Sequence, residues 1–305
     1  MGRIAAIEGL VEGFLSRRPI RSTSLIVTIF GDVVSQHGGV IWLGSLVEAL
    51  GLIGIDERLV RTSTFRLVLV GWLESARGGR RSFYRFTDYG LREYERAARR
   101  IYAAAEQRWE GSWTLLIPIS VPEELRERFR RSVAWQGFGS FAPNLYAHPG
   151  PDLDGARELL AELKLQDSVL LMQASADALQ SDRLIREVLW ENWNLEELAG
   201  RYGRFLSWFR PVSRALARGA VPDPAQCFTV RLLLIHEYRR ILLHDTDLPA
   251  ELLPGKWPGT EARRLAAELY HALAPGSLAY IGERLQAADA PMPEVVESFA
   301  RRFRG

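Results

Sequence analysis

The sequence predicts an α+β, multidomain chain, and three observations predict it. The first hundred residues alternate helical and strand-like apolar spacing and include a cationic hairpin. Residues 113–173 run strand, helix, strand, strand, helix, strand. From Ser181 the spacing is helical throughout. Together these give a winged helix-turn-helix head with a linker helix over 20–108, a ferredoxin-like βαββαβ middle domain over 109–178, and an all-helical C-terminal domain over 179–305. A chain of 305 residues has room for two or three such cores.

The head is read element by element. Ile7 to Leu15 is an apolar helix ending at Arg17-Arg18-Pro19. Ser22 or Thr23 then caps a helix whose apolar positions are Leu25, Ile26, Ile29, Phe30, Val33 and Val34. His37-Gly38-Gly39 stops it. Val40-Ile41-Trp42 is a short strand, and Gly44-Ser45 starts a short helix through Leu50. Gly51 and Gly54 break that helix just before Asp56, whose carboxylate can accept the orphan N–H groups of the next one. On this next helix Leu59, Val60, Ser63, Leu67 and Val70 share one side. Arg58, Arg61, Thr62 and Arg66 share the other, with Phe65 and Leu69 among them. After Gly71 the period becomes two. Trp72 to Ser75 and Ser82 to Phe86 read as paired strands turned by Gly78-Gly79, with Arg77, Arg80 and Arg81 at the tip. Thr87-Asp88 caps a linker helix to about Arg108.

Charge points to a polyanion. Between Arg58 and Arg85 there are seven arginines and one acid, Glu74. Residues 1–108 hold 16 arginines against 11 acids, net +5, whereas 109–305 hold 23 basic residues against 26 acids, net −3. A solvated face by itself accounts for the helix arginines. It accounts less well for three arginines around a diglycine tip, which repel one another and stabilise nothing obvious in the fold. The expected DNA contacts are Arg58, Arg61, Thr62, Phe65 and Arg66 on the helix and Arg77, Arg80, Arg81 and Tyr84 on the hairpin. Arg61 and Thr62 are expected at base edges and Arg58 and Arg66 nearer phosphate. One such helix covers only a few base pairs, so a homodimer on double-stranded operator DNA is expected.

In the middle segment Trp113 to Ser120 is a strand, and a helix runs from Pro122 to about Gln136. Phe138 to Ala142 and Leu145 to His148 are short strands, Leu153 to Leu165 a helix, and Ser168 to Gln173 a strand. The helices beyond are Leu184 to Trp193, Leu195 to Ala217, Ala225 to His244, Glu261 to Leu273 and a last one from Pro293 to Phe303.

Other chemistry is sparse. The single Cys227 excludes an internal disulfide and any multi-cysteine metal site, and it fits a reducing cytoplasm. His236 and His244 lie about 12 Å apart along one helix and cannot share a metal. There is no nucleophile-elbow, Walker or zinc-protease motif, so no enzyme and no cofactor is expected. No apolar run approaches a membrane span.

A series of short motifs resembles one family. It comprises Gly38-Gly39-Val-Ile-Trp42-Leu-Gly44-Ser-Leu46, Arg58-Leu-Val-Arg61-Thr62, Gly71-Trp72-Leu73 and Gly79-Arg80-Arg81-Ser82-Phe83-Tyr84. It continues with Trp109-Glu-Gly-Ser-Trp113, Trp135-Gln-Gly-Phe-Gly139 with Ala142-Pro143, and Phe209-Arg210-Pro211. The longest stretch runs from Leu232 to Asp245, followed by Leu248-Pro249 and Glu251-Leu-Leu-Pro254. This series resembles the phenylacetic acid degradation repressor (PaaX) family over roughly residues 10 to 282. The resemblance implies a dimeric, cytoplasmic repressor of phenylacetate catabolism genes, released from DNA by phenylacetyl-CoA or a related aryl-CoA rather than by the free acid. An aryl-CoA needs an apolar slot and phosphate-binding cations. Trp193, Arg210, His236, Tyr238, Arg239 and Arg240 offer both, although the same residues serve equally as an aromatic core with a rim of ion pairs to Glu237 or Asp245. Two alternatives stand beside this reading: a winged-helix nucleic-acid-binding protein without an effector, and a nuclease-like enzyme on the ferredoxin-like domain. In element order the middle domain resembles the small ferredoxin-like nucleases of CRISPR adaptation. Those carry an Asp at the end of the first strand, and Trp113 to Ser120 contains no acid.

Overall fold

The computed structural model describes residues 4–17, 19–78, 81–102, 109, 111–150, 153–175, 178–245, 248–287 and 290–304. The chain divides into two compact units. One takes in Met1–Ala105, Gly203–Leu243 and Thr260–Gly305, and the other Glu106–Tyr202 and His244–Gly259.

The first unit begins with α1 (Ala5–Leu15) and α2 (Ser22–Asp32), followed by β1 (Val40–Trp42), α3 (Leu43–Gly51) and α4 (Glu57–Leu69). Strands β2 (Leu73–Gly78) and β3 (Arg81–Phe86) form the hairpin, and α5 (Asp88–Ile101) follows. The sheet order is β1-β3-β2, all antiparallel, with Tyr84 of β3 opposite Ile41 on one side and Ser75 on the other. Helix α2 is the centre of this unit: Leu25, Ile26, Ile29 and Phe30 are fully buried. Its start differs from the expected cap. Arg21 holds the N-cap position without a side-chain bond, and the Ser22 hydroxyl instead meets the Ser63 hydroxyl of α4 at 2.6 Å. Burial leaves Ser22 no water, so it satisfies itself on α4 rather than on its own helix. Thr87 does cap α5, accepting from the Gly90 N–H. The expected extension of α5 towards Arg108 lies outside the described residues.

The second unit contains β4 (Ser112–Pro118), α6 (Glu123–Trp135), β5 (Gly139–Ala142), β6 (Leu145–Pro149), α7 (Leu153–Leu163), β7 (Val169–Ser175) and α8 (Ala178–Asn192). The antiparallel sheet order β5-β6-β4-β7 with two intervening helices is the ferredoxin-like arrangement. Leu116, Phe129, Val133, Leu159, Leu160 and Val169 form its core under α6 and α7. On the other face Trp113, Phe141 and Trp193 meet edge to face.

Three long helices complete the chain: α9 (Leu195–Ala217), α10 (Pro224–Leu242) and α11 (Pro258–Arg284). The boundary between the units falls inside α9 and at the start of α11. Helix α10 is buried along nearly all its length, and it packs on α2 within the first unit. A short ribbon, β8 (Gln286–Ala287) with β9 (Ala290–Pro291), then leads into the tail.

Two helical expectations are corrected. Helix α11 does not stop at Leu273 but runs through Pro275 to Arg284, because Tyr280, Ile281 and Leu285 beyond the proline are buried and hold it in place. The predicted helix from Pro293 to Phe303 does not form, apart from one 3-10 turn at Glu297–Arg301. The tail's N–H groups are used elsewhere: Val296 donates to Gln36 and Phe303 to Tyr102. Phe303 takes a left-handed backbone, φ 59°, which ends any helix. The tail's Arg302 guanidinium meets the Asp32 carboxylate at 2.7 Å, and Arg231 of α10 meets it at 2.9 Å. The hydroxyls of Tyr102 and Tyr270 donate to the same carboxylate. Burial pushes the Asp32 carboxyl up, but the two guanidinium groups and the hydroxyls outweigh it and hold the carboxyl below its ordinary value.

Candidate nucleic-acid interface

The candidate surface is built on α4. The Asp56 carboxylate accepts from the Leu59 N–H at 2.8 Å and fixes the start of the helix. The turn before it passes through Gly54 at φ 72°, and a Cβ there would sit 2.9 Å from Leu15 Cδ1, so glycine is required on two counts. Val60, Ser63, Thr64 and Leu67 are buried, which fixes the rotation of the helix. Arg58, Arg61, Thr62, Phe65, Arg66 and Leu69 are thereby left exposed on one face.

These side chains are not equivalent. Arg61 is drawn back along the helix by Glu57, with its Nε 2.7 Å from Glu57 Oε1. The Thr62 hydroxyl donates to the Arg58 carbonyl. Arg58 and Arg66 have no ion-pair partner among the described residues. Glu57 is the part that a reading of the cations alone omits. Its position four residues before Arg61 is the available signal.

On the hairpin, Glu74 and Arg85 stand directly opposite in register and form an ion pair at 2.5 Å. The Arg81 guanidinium lies 4.7 Å from the Trp42 ring centroid and donates to Gln286 of the tail. Tyr84 is half-buried on the central strand. Arg77 lies on β2, but its side chain is outside the described residues, as are Gly79 and Arg80.

The six residues expected at an effector are distributed over both units. In the first unit His236, Tyr238 and Arg239 are buried on α10. His236 Nδ1 is 3.3 Å from the Thr28 hydroxyl. Burial, then the Arg240, Arg239 and Arg17 guanidinium groups, hold its pKa well below the ordinary value. Arg239 donates to the hydroxyl and carbonyl of Ser24 at the start of α2. Arg240 and Arg17 both pair with Glu237, whose carboxyl is nevertheless pushed up by burial. Arg17 also stacks on Trp208 at 3.5 Å, a contact that nothing around Arg17-Arg18-Pro19 signals in the sequence. Arg210 pairs with Glu261 at 2.6 Å. In the second unit Trp193 packs on Gly139, where a Cβ would strike its ring, and beside Phe141. Among the described residues no group of His, Cys, Asp or Glu could hold a metal ion, and no helix is long and apolar enough to cross a membrane.

Comparison with known proteins follows the same segments. Residues 21–90 match the family described as PaaX-like protein, 106–185 the PaaX protein central Cas2-like domain, and 193–283 the PaaX-like protein C-terminal domain. The chain is 37% identical over 303 residues to the transcriptional repressor PaaX of Escherichia coli (strain K12), covering 99% of this chain and 96% of that one. Among solved structures, uncharacterized protein Rv0674 from Mycobacterium tuberculosis shares the fold, with a TM-score of 0.54 at 24% identity over 81% of this chain and 94% of that one. On three segments in one register and a relative aligned end to end, the chain belongs to the PaaX-like family.

Proposed function

We propose that this protein is a DNA-binding transcriptional repressor of phenylacetate or related aryl-CoA catabolism genes, released from its operator by phenylacetyl-CoA or a close aryl-CoA. The observation that carries the reading is the exposed cationic face of α4, on which Arg58 and Arg66 have no ion-pair partner among the described residues, beside the β2–β3 hairpin. We read α2, α3 and α4 with the β2–β3 hairpin as a winged helix-turn-helix in which α4 enters the major groove and the hairpin tracks phosphate. The repressor function named for the Escherichia coli relative agrees with this. Neither a metal nor a catalytic group enters the reading, and the first strand of the ferredoxin-like sheet carries no acid. The domain division at 20–108, 109–178 and 179–305 and a cytoplasmic location belong to the same proposal.

A homodimer is part of it. Leu170 and Met172 are exposed on β7, and Ile119 beside that strand is 71% exposed. Apolar side chains on an open sheet face favour a partner sheet. For the effector we assign Arg210 and Arg240, the half-exposed cations of the first unit, to phosphate oxygens. Each would exchange an intramolecular carboxylate for a phosphate. His236, Tyr238 and Arg239 shape α10 behind them.

The test is fluorescence anisotropy on duplexes from the gene's own upstream region. Arg58→Ala with Arg66→Ala should weaken binding to specific and random duplexes and flatten the salt dependence by nearly two phosphate contacts, about 0.9 each in slope. Unchanged affinity and slope would show that this face does not meet DNA.

A further inference from the structure

Charge does not explain every side chain on the exposed face of α4. We propose that Phe65, with Leu69 one turn further on, reads the 5-methyl groups of thymines in the major groove. This rests on the DNA-binding reading above and deepens it to a specificity-determining contact.

Phe65 is 60% exposed and Leu69 68%; Val70, expected on the inward side, is instead exposed because it is the C-cap past the helix end, and it lies off this stripe. A single apolar side chain in water needs no explanation, but a contiguous group of them does. These contribute nothing to packing, because the inward face is already filled by Val60, Ser63, Thr64 and Leu67. At 100° per residue Phe65 projects between Arg58 and Arg61, and Leu69 between Arg58 and Thr62. The apolar stripe therefore runs down the middle of the cationic face, with Arg61 and Arg66 on its flanks.

A ligand matching this pattern has hydrogen-bond acceptors and anions on the two sides of an apolar strip. A DNA major groove has that form: phosphates line its edges, and thymine methyl groups stand on its floor among the base acceptors. An RNA duplex does not match, since its deep, narrow major groove excludes side chains and uracil carries no methyl group. A second copy of this face is also a poor match, because two arginine-flanked stripes would repel. The bases that Arg61 and Thr62 would read therefore lie next to a position where the protein recognises a methyl group.

The experiment begins by selecting duplexes from a random library with the full-length protein. Each dT of the selected site is then replaced singly by dU, which removes only the methyl group, and binding is followed by anisotropy. The wild type should lose about fourfold in affinity at one or more positions, the effect of one methyl-sized burial. Phe65→Ala should bind the parent site more weakly and lose sensitivity to dU at that position, while keeping its melting temperature and salt slope. Phe65→Leu should keep part of the sensitivity. If the wild type binds every dU duplex as tightly as the parent, methyl reading is wrong and DNA binding stands. If no duplex is selected over the random pool and none is bound in low salt, both readings fall together. If Phe65→Ala binds all duplexes like the wild type but lowers the mass measured by light scattering, the stripe belongs to a second copy and the proposal is overturned.

Discussion

Asp32 shows what one residue must satisfy in this fold. It is an acid at the end of the apolar helix α2, it is 1% exposed, and two arginines from distant parts of the chain reach it. A buried pair adds little net stability, but removing one partner leaves an uncompensated charge. Arg302→Ala leaves Asp32 paired with Arg231 and should cost less than Asp32→Ala, which strands both guanidinium groups and should cost about 3–5 kcal/mol in urea unfolding. A loss within the range of an ordinary surface substitution would show that water reaches the site. His236 gives the pH counterpart. Its folded pKa is depressed by burial and by Arg240, Arg239 and Arg17, so the unfolded chain takes up the proton first. The stability due to neutral His236 is fully present above its unfolded value near 6.5 and is lost as pH falls below it. The melting temperature should drop from about pH 7 to about pH 5, and His236→Gln should flatten part of that drop. The remaining slope combines His37 and His271, which burial also holds down, with the buried Glu237 beside His236, whose raised carboxyl acts in the opposite sense. An unchanged profile in the variant would mean that His236 protonates equally in both states.

Among the elements, the hairpin and α4 are proposed to divide the work on DNA. Arg77, Arg80 and Arg81 should act through charge alone. Their triple alanine variant should weaken specific and random duplexes alike and lower the salt slope by up to about 0.9 per lost phosphate contact. Arg81 should contribute least, being held over Trp42 and by Gln286. A steep, unchanged slope would mean that the hairpin points away from DNA. These elements were legible because their signals are local: a capping Asp56, a one-and-four spacing, and a switch to period two at Gly71. The ends of α11 and of the tail were not. Ala274-Pro275-Gly276 looks like a stop, and Pro275 costs the helix a hydrogen bond. Burial of Tyr280 and Ile281 beyond it overrides that local preference. Residues Pro293 to Phe303 have helical spacing, yet their backbone groups bond to Gln36 and Tyr102, partners some two hundred positions or more away. The buried roles of His236 and Arg239 were open for the same reason, since only the packing of α10 on α2 decides them.

At the scale of the whole molecule, the first unit is assembled from three separated stretches of chain, and the tail closes it. Truncation after Arg284 removes Arg302 together with the bonds to Ser45, Gln36, His37 and Tyr102. It should lower the melting temperature further than Arg302→Ala does, and equal melting would leave Arg302 as the tail's whole contribution. The proposed dimer predicts that Leu170→Glu with Met172→Glu yields a monomer by light scattering; an unchanged mass would place the interface elsewhere. The proposed repression couples DNA release to an acyl-CoA, and coupling between two ligands is reciprocal, typically about 1–3 kcal/mol. The most direct measurement is anisotropy of a labelled upstream duplex titrated with phenylacetyl-CoA, with phenylacetate and with CoA alone. Phenylacetyl-CoA should release the duplex, with apparent operator affinity falling by roughly 5- to 150-fold, while the free acid leaves it bound. Equal operator affinity with and without phenylacetyl-CoA or related aryl-CoA esters would mean that no acyl-CoA releases this protein from DNA.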